Sequence, residues 1–164
     1  MARSQVDSGT PEEAREILSR ACGSSRWVDR MMARRPFGRD AKLLSAARVE
    51  WFGLTEADWL EAFSHHPRIG DRASLEARFP ATHDLSSNEQ ARVGGAHAEV
   101  IAALVAANER YLERFGFIFI VCATGKSAEE MLGLLCDRLS NDRATELRIA
   151  AEEQARITAL RLGA

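Results

Sequence analysis

The sequence has no run of apolar residues near the roughly 18 that a membrane helix requires, and no cysteine pair at the spacing of a redox or metal motif. Its three cysteines, Cys22, Cys122 and Cys136, are scattered and odd in number, which does not suggest a disulfide framework. Each reads as a small buried hydrophobe in a reducing compartment. Neither sign of charge dominates: 22 Lys and Arg against 24 Asp and Glu leave a net charge of −2. The basic excess that nucleic acid or an anionic membrane would require is missing. The four histidines, His65, His66, His83 and His97, show no HExxH or related spacing, which argues against zinc. The first residues, "MARSQVDSGTPEE", lack an apolar signal core, so the expected location is cytoplasmic. No internal repeat, low-complexity tract or long linker divides the chain.

What is present is a series of helix signals within 164 residues, a length that suits one domain with a sizeable core. Residues 1–9 carry no such signal and are expected to be disordered, leaving 10–164 as the folded domain. Thr10 and Glu13 form a capping box with Pro11 at the first helical position, opening a helix to about Arg20. "SSRWVDRMMARRPF" reads as a second helix stopping near Pro36, and "DAKLLSAARVEWFG" as a third ended by Gly53 as C-terminal cap. "TEADWLEAFSH" is a fourth, boxed by Thr55 and Asp58, and "RASLEARF" a short fifth before Pro80. Ser86 or Ser87 caps a long helix to about Phe115, in which Val93, Ala96, Val100, Ile101, Leu104, Ala107, Tyr111 and Leu112 recur at helical spacing. Ser127, with Glu130 completing a box, opens the next, and the last covers about Arg143 to Leu162.

"FGFIFIVCA" breaks the pattern. Its β-branched and aromatic residues would ordinarily be read as a buried strand. No second strand signal exists to pair with it. The expectation is an all-α single-domain helical bundle with this one apolar extended connector.

The stretch "HHPRIGD" raises the question of chemistry. Proline disfavours helix at the residue before it, so His66 should project from a loop. Histidine alone titrates near neutrality unperturbed, and it can both give and take a proton. A histidine in a polar loop is, however, more often a surface residue. Glu89, in "SSNEQ", stands three residues after Ser86 and could serve only as the far half of a capping box. The functional alternative, which the residues alone favour less, is that a helix N-terminus offers free amides, partial positive charge and a carboxylate in one place. Arg161 reads as a solvated helix-end arginine favoured by the dipole, Cys122 as core without a base partner. "GK" at Gly125 and Lys126 lacks the rest of a phosphate loop.

"RPF" at Arg35 to Phe37, "DWLEAFSHHPRIGD", "SSNEQA", "NERYLERFGFIFIVCATGKSAEEML" and the closing "LRL" together resemble the 2-oxo-4-hydroxy-4-carboxy-5-ureidoimidazoline (OHCU) decarboxylase family. That family performs the last step in converting urate to (S)-allantoin. The likeness spans roughly residues 10–162, with no departure at the motif positions. It implies an all-helical, often dimeric enzyme working without metal or organic cofactor on a small ureidoimidazoline. By position it implies catalytic roles for His66 (not His65), Glu89 and Arg161. Substrate contacts are implied for Pro67, for Ser86, Ser87, Asn88, Glu89 and Gln90, and for the backbone of Phe119, Ile120, Val121, Cys122 and Ala123. A non-enzymatic helical module for an anionic metabolite, and a hydrolase or lyase for another ureide, are the alternatives that the residues by themselves leave open.

Overall fold

The computed structural model describes residues 2–67, 70–80 and 87–164, with side chains in the last segment from residue 95 onward. The described residues are helical, without a strand, in the order α1 (Ala2–Ser8), α2 (Pro11–Ala21), α3 (Ser25–Ala33), α4 (Asp40–Phe52), α5 (Glu56–Ser64), α6 (Arg72–Arg78), α7 (Ser87–Phe115), α8 (Ala128–Leu139) and α9 (Arg143–Arg161). No described helix is long and apolar enough to cross a membrane. The expectation of an all-α fold is met. The connector after α7 is neither helix nor ladder from Gly116 to Ser127.

The chain divides into two compact units. One comprises the chain up to His66, Ile120–Cys122 and Leu147–Ala164; the other comprises Pro67–Phe119 and Ala123–Glu146. In the first, α2 packs on α1 and α3, and α3 packs on α4 and α5. Their apolar faces bury Leu18, Trp27, Met31, Leu43, Trp51 and Phe63. The tryptophans are also tied at their polar edges, as buried indoles usually are. Trp27 Nε1 donates to the Ala47 carbonyl at 3.0 Å, and Trp51 Nε1 to the Ala151 carbonyl on α9 at 2.9 Å. Helix starts follow the sequence signals: Thr10–Glu13 and Thr55–Asp58 are complete capping boxes. Gly53 does end α4, but at φ −86°, so its backbone does not require glycine.

Residues 2–9 depart from the disorder expected of the first nine. Residues 2–8 form α1, with Val6 fully buried. The Asp7 carboxylate accepts from the N–H groups of Phe37 and Gly38, both at 2.9 Å, and Arg35 donates to the Gly9 carbonyl at 2.8 Å. A short helix with one buried apolar residue is not stable by its own propensity. These long-range bonds hold it, and they leave no periodic trace in sequence.

In the second unit, α7 packs against α6 and α8. Asp71, the last residue of HHPRIGD, caps α6: its carboxylate accepts from the Ser74 N–H at 2.8 Å. Ser127 caps α8 through the Glu130 N–H at 3.1 Å, without the return bond of the expected full box. Tyr111, Phe115, Phe117 and Phe119 form one aromatic cluster. Beside it lies a buried polar network. Glu146, 0 % exposed, accepts from Tyr111 Oη, from Arg138 and, at 3.1 Å, from Asn141 Nδ2. The Arg138 guanidinium also covers the Phe119 ring, 4.5 Å from its centroid. Burial, with the Glu146 hydrogen bond, pushes the Tyr111 hydroxyl far up, so it stays a donor.

Candidate active site

His66 follows α5 in a turn closed by its own N–H to the Phe63 carbonyl at 3.2 Å. Its side chain leaves the loop, as expected, and its Nε2 meets Oε1 of Gln154 on α9. Gln154 is fully buried and donates through Nε2 to Thr158 Oγ1 at 3.1 Å, one turn further along the same helix. Thr158 Oγ1 in turn donates to the Ala21 carbonyl at 3.3 Å. That carbonyl ends α2, where helix carbonyls lack intrahelical partners. Arg161 reaches the same place: its Nη1 donates to the carbonyls of Arg20 and Ala21 at 3.3 and 3.4 Å. A guanidinium carries five N–H donors, so this anchoring fixes the group without using it up. His66 and Arg161, far apart in sequence, thus lie at two ends of one hydrogen-bonded chain.

The electrostatics follow. Burial holds His66 below its ordinary pKa of 6.5, the nearby charges of Arg161 and His65 act in the same direction, and the Gln154 hydrogen bond opposes them. At neutral pH the imidazole is neutral, able to accept a proton. Cys22, buried beside Thr158, has its thiol pushed up to about 11, chiefly by burial. It is an unreactive thiol.

His65 has a different setting. It is exposed and C-caps α5, its N–H donating to the Ala62 carbonyl at 3.2 Å. Its side chain lies against Gly23, where a Cβ would stand 2.6 Å from the His65 Cβ.

Of the connector, Ile120 is buried and Val121 and Cys122 are half-buried in the first unit. The amide of Cys122, whose backbone is among the implied substrate contacts, donates to the Glu153 carboxylate of α9 at 2.7 Å. Pro67, Phe119 and Ala123 belong to the second unit. Ser86 lies outside the described residues, as do the side chains of Ser87, Asn88, Glu89 and Gln90, which stand in the first turn of α7. The capping box expected of Ser86 and Glu89 therefore also lies outside them. Among the described residues, no three His, Cys, Asp or Glu side chains gather where they could hold a metal ion.

Sequence reasoning misses Gln154 and Thr158. An i, i+4 polar pair reads as a solvated stripe, yet both are buried on α9, the helix that also buries Leu147, Ala150 and Ala151.

The sequence profile of OHCU decarboxylase matches residues 7–163. The Arabidopsis thaliana uric acid degradation bifunctional protein TTL is 37% identical over 142 residues, which is 86% of this chain and 44% of that protein. A Haloferax volcanii 2-oxo-4-hydroxy-4-carboxy-5-ureidoimidazoline decarboxylase is 28% identical, over 84% of this chain and 80% of its own. A crystal structure of OHCU decarboxylase in the presence of (S)-allantoin superposes with a TM-score of 0.72 at 36% identity, covering 94% of this chain and 96% of that one. The chain spans less than half the length of the bifunctional relatives it matches.

Proposed function

Because the chain belongs to the OHCU decarboxylase family, we propose that it decarboxylates 2-oxo-4-hydroxy-4-carboxy-5-ureidoimidazoline to (S)-allantoin. The observation that carries this reading is the setting of His66. It is the motif histidine, held neutral by burial, oriented by a fully buried side chain, and joined through α9 to an anchored arginine.

The reaction needs little more. When the carbon–carboxylate bond breaks, CO2 leaves and its electron pair passes into the conjugated C=N of the substrate ring, whose nitrogen takes up a proton from solvent. The substrate is its own electron sink, which makes a separate one dispensable. The hydroxyl proton must then leave as that carbon becomes a carbonyl, and a proton must arrive on one face of the neighbouring ring carbon. A neutral imidazole can take the first proton and, as imidazolium, deliver one. Arg161 would hold the carboxylate. Its two bonds to helix carbonyls fix where its charge stands, and it must not bind the ground state more tightly than the transition state. Glu89 would orient the imidazole or the substrate, a role that the resemblance alone supports.

The test is to generate the urate oxidation product fresh with an oxidase and the hydrolase that follows it, add the chain, and record circular dichroism. Rapid growth of the optical activity of one allantoin enantiomer is expected. A trace no faster than the uncatalysed decay would leave a binding module.

A further inference from the structure

The hydrogen-bonded chain behind His66 has a direction, and the direction bears on which ring nitrogen carries the hydrogen. The Ala21 carbonyl can only accept. Arg161 also donates to it and Cys22 also lies against Thr158, but the carbonyl stands 3.3 Å from Thr158 Oγ1 and takes that hydroxyl's one hydrogen. Having spent it there, Thr158 can only accept from Gln154, 3.1 Å away. The atom of Gln154 facing Thr158 must then be the amide nitrogen. The amide oxygen, on the other side, faces His66 Nε2. An oxygen facing a ring nitrogen accepts, so Nε2 must carry a hydrogen. Gln154 and Thr158 are 0 % and 5 % exposed, so water cannot readily substitute for any link, and reversing the amide would take the Thr158 hydrogen off the Ala21 carbonyl and leave that carbonyl to the longer Arg161 contact at 3.4 Å.

We propose that Gln154, held by Thr158, is a positioning residue that fixes His66 as the Nε2–H tautomer, so that Nδ1 is the nitrogen that exchanges protons with the substrate. The inference deepens the proposed decarboxylation and rests on it for its purpose. In a histidine free to tautomerise, part of the population presents the wrong nitrogen. Here the ring is also fixed in rotation, because only one edge can meet Gln154.

The test reads the tautomer directly. In the full chain labelled with 15N-histidine, at about pH 8, above the ordinary histidine range, the His66 ring is assigned by its loss in His66→Asn. The wild type should show one species with a slowly exchanging Nε2–H and a bare Nδ1. Gln154→Leu removes the acceptor and should give a mixture with a fast-exchanging ring proton. It should lower kcat about tenfold or more, part of the about 10²–10⁴-fold that a general acid–base group contributes, with KM little changed. Gln154→Glu keeps an acceptor oxygen and should restore the single Nε2–H species. Thr158→Val, close to isosteric, lets the amide turn and should populate Nδ1–H; it carries the test if Gln154→Leu fails to fold. An Nδ1–H wild type, or a ring signal unchanged in both Gln154→Leu and Thr158→Val, would overturn the assignment. A chain that makes no allantoin yet shows the fixed Nε2–H would refute the decarboxylase reading and leave the relay standing.

Discussion

Gly23 and His65 are in mutual contact: the space a Cβ would take at Gly23 is already filled by the His65 side chain, at 2.6 Å from Cβ and 2.7 Å from Cγ. The contact lies at the end of α5, where His65 is the C-cap and the next residue is His66. Gly23→Ala should therefore displace His65 and, through the shared turn, the His66 ring. Turnover should fall severalfold, and the double variant Gly23→Ala/His65→Gly, which removes the Cβ that stands 2.6 Å away, should recover most of it by clearing the clash. Equal activity of Gly23→Ala and wild type would show that the turn can shift without disturbing His66.

The pH dependence has a definite sign. His66 titrates below 6.5 in the folded chain, mainly through burial, whereas in the unfolded chain it is an ordinary histidine. In the window from 6.5 down to the folded value the unfolded state binds more protons, so the His66 contribution to stability is complete above 6.5 and is lost as pH falls through that window. The acid limb of kcat/KM should likewise lie below 6.5. A limb above that value would mean the essential base is not this imidazole.

Capping and catalysis compete as roles for Glu89. Glutamine can still bond a helix amide but neither carries charge nor accepts protons. Glu89→Gln should stay within about 1 kcal/mol of wild-type stability, the scale of a cap, and lose about tenfold or more in turnover. Thermal unfolding and allantoin formation on one preparation decide it, with Ser86→Ala as the cap-only control. Wild-type turnover in Glu89→Gln would leave Glu89 as a cap.

In the second unit, Glu146→Ala removes the one carboxylate that Tyr111, Arg138 and Asn141 share. A buried arginine left without that partner should destabilise the fold by about 3–5 kcal/mol. A urea denaturation midpoint close to wild type would mean the network contributes little.

Much of this is legible in the sequence, for local reasons. Thr10–Glu13 and Thr55–Asp58 announce their helices because a capping box is a contact between residues three apart. The apolar repeat through Ile101, Leu104 and Tyr111 marks α7, whose buried face it forms. His66 is visible because proline follows it. What is hidden is non-local. α1 depends on Asp7 reaching Phe37 and Gly38 some 30 residues away. The Cys122 amide looks available because Glu153, 31 residues on, cannot be placed beside it from spacing. Gln154 and Thr158 look like surface because their partners, His66 and Ala21, are 88 and 137 residues distant.

The central claim is that this chain breaks the carbon–carboxylate bond by proton transfer through His66 and not through His65. The most direct measurement uses freshly formed substrate labelled with 13C in its carboxylate and follows 13CO2 release and circular dichroism together in wild type, His66→Asn and His65→Ala. Wild type and His65→Ala should release CO2 and gain optical activity at matching rates. His66→Asn, with an unchanged helical spectrum, should be slower by about 10²–10⁴-fold. CO2 release by His66→Asn at the wild-type rate, or a loss confined to His65→Ala, would contradict the account.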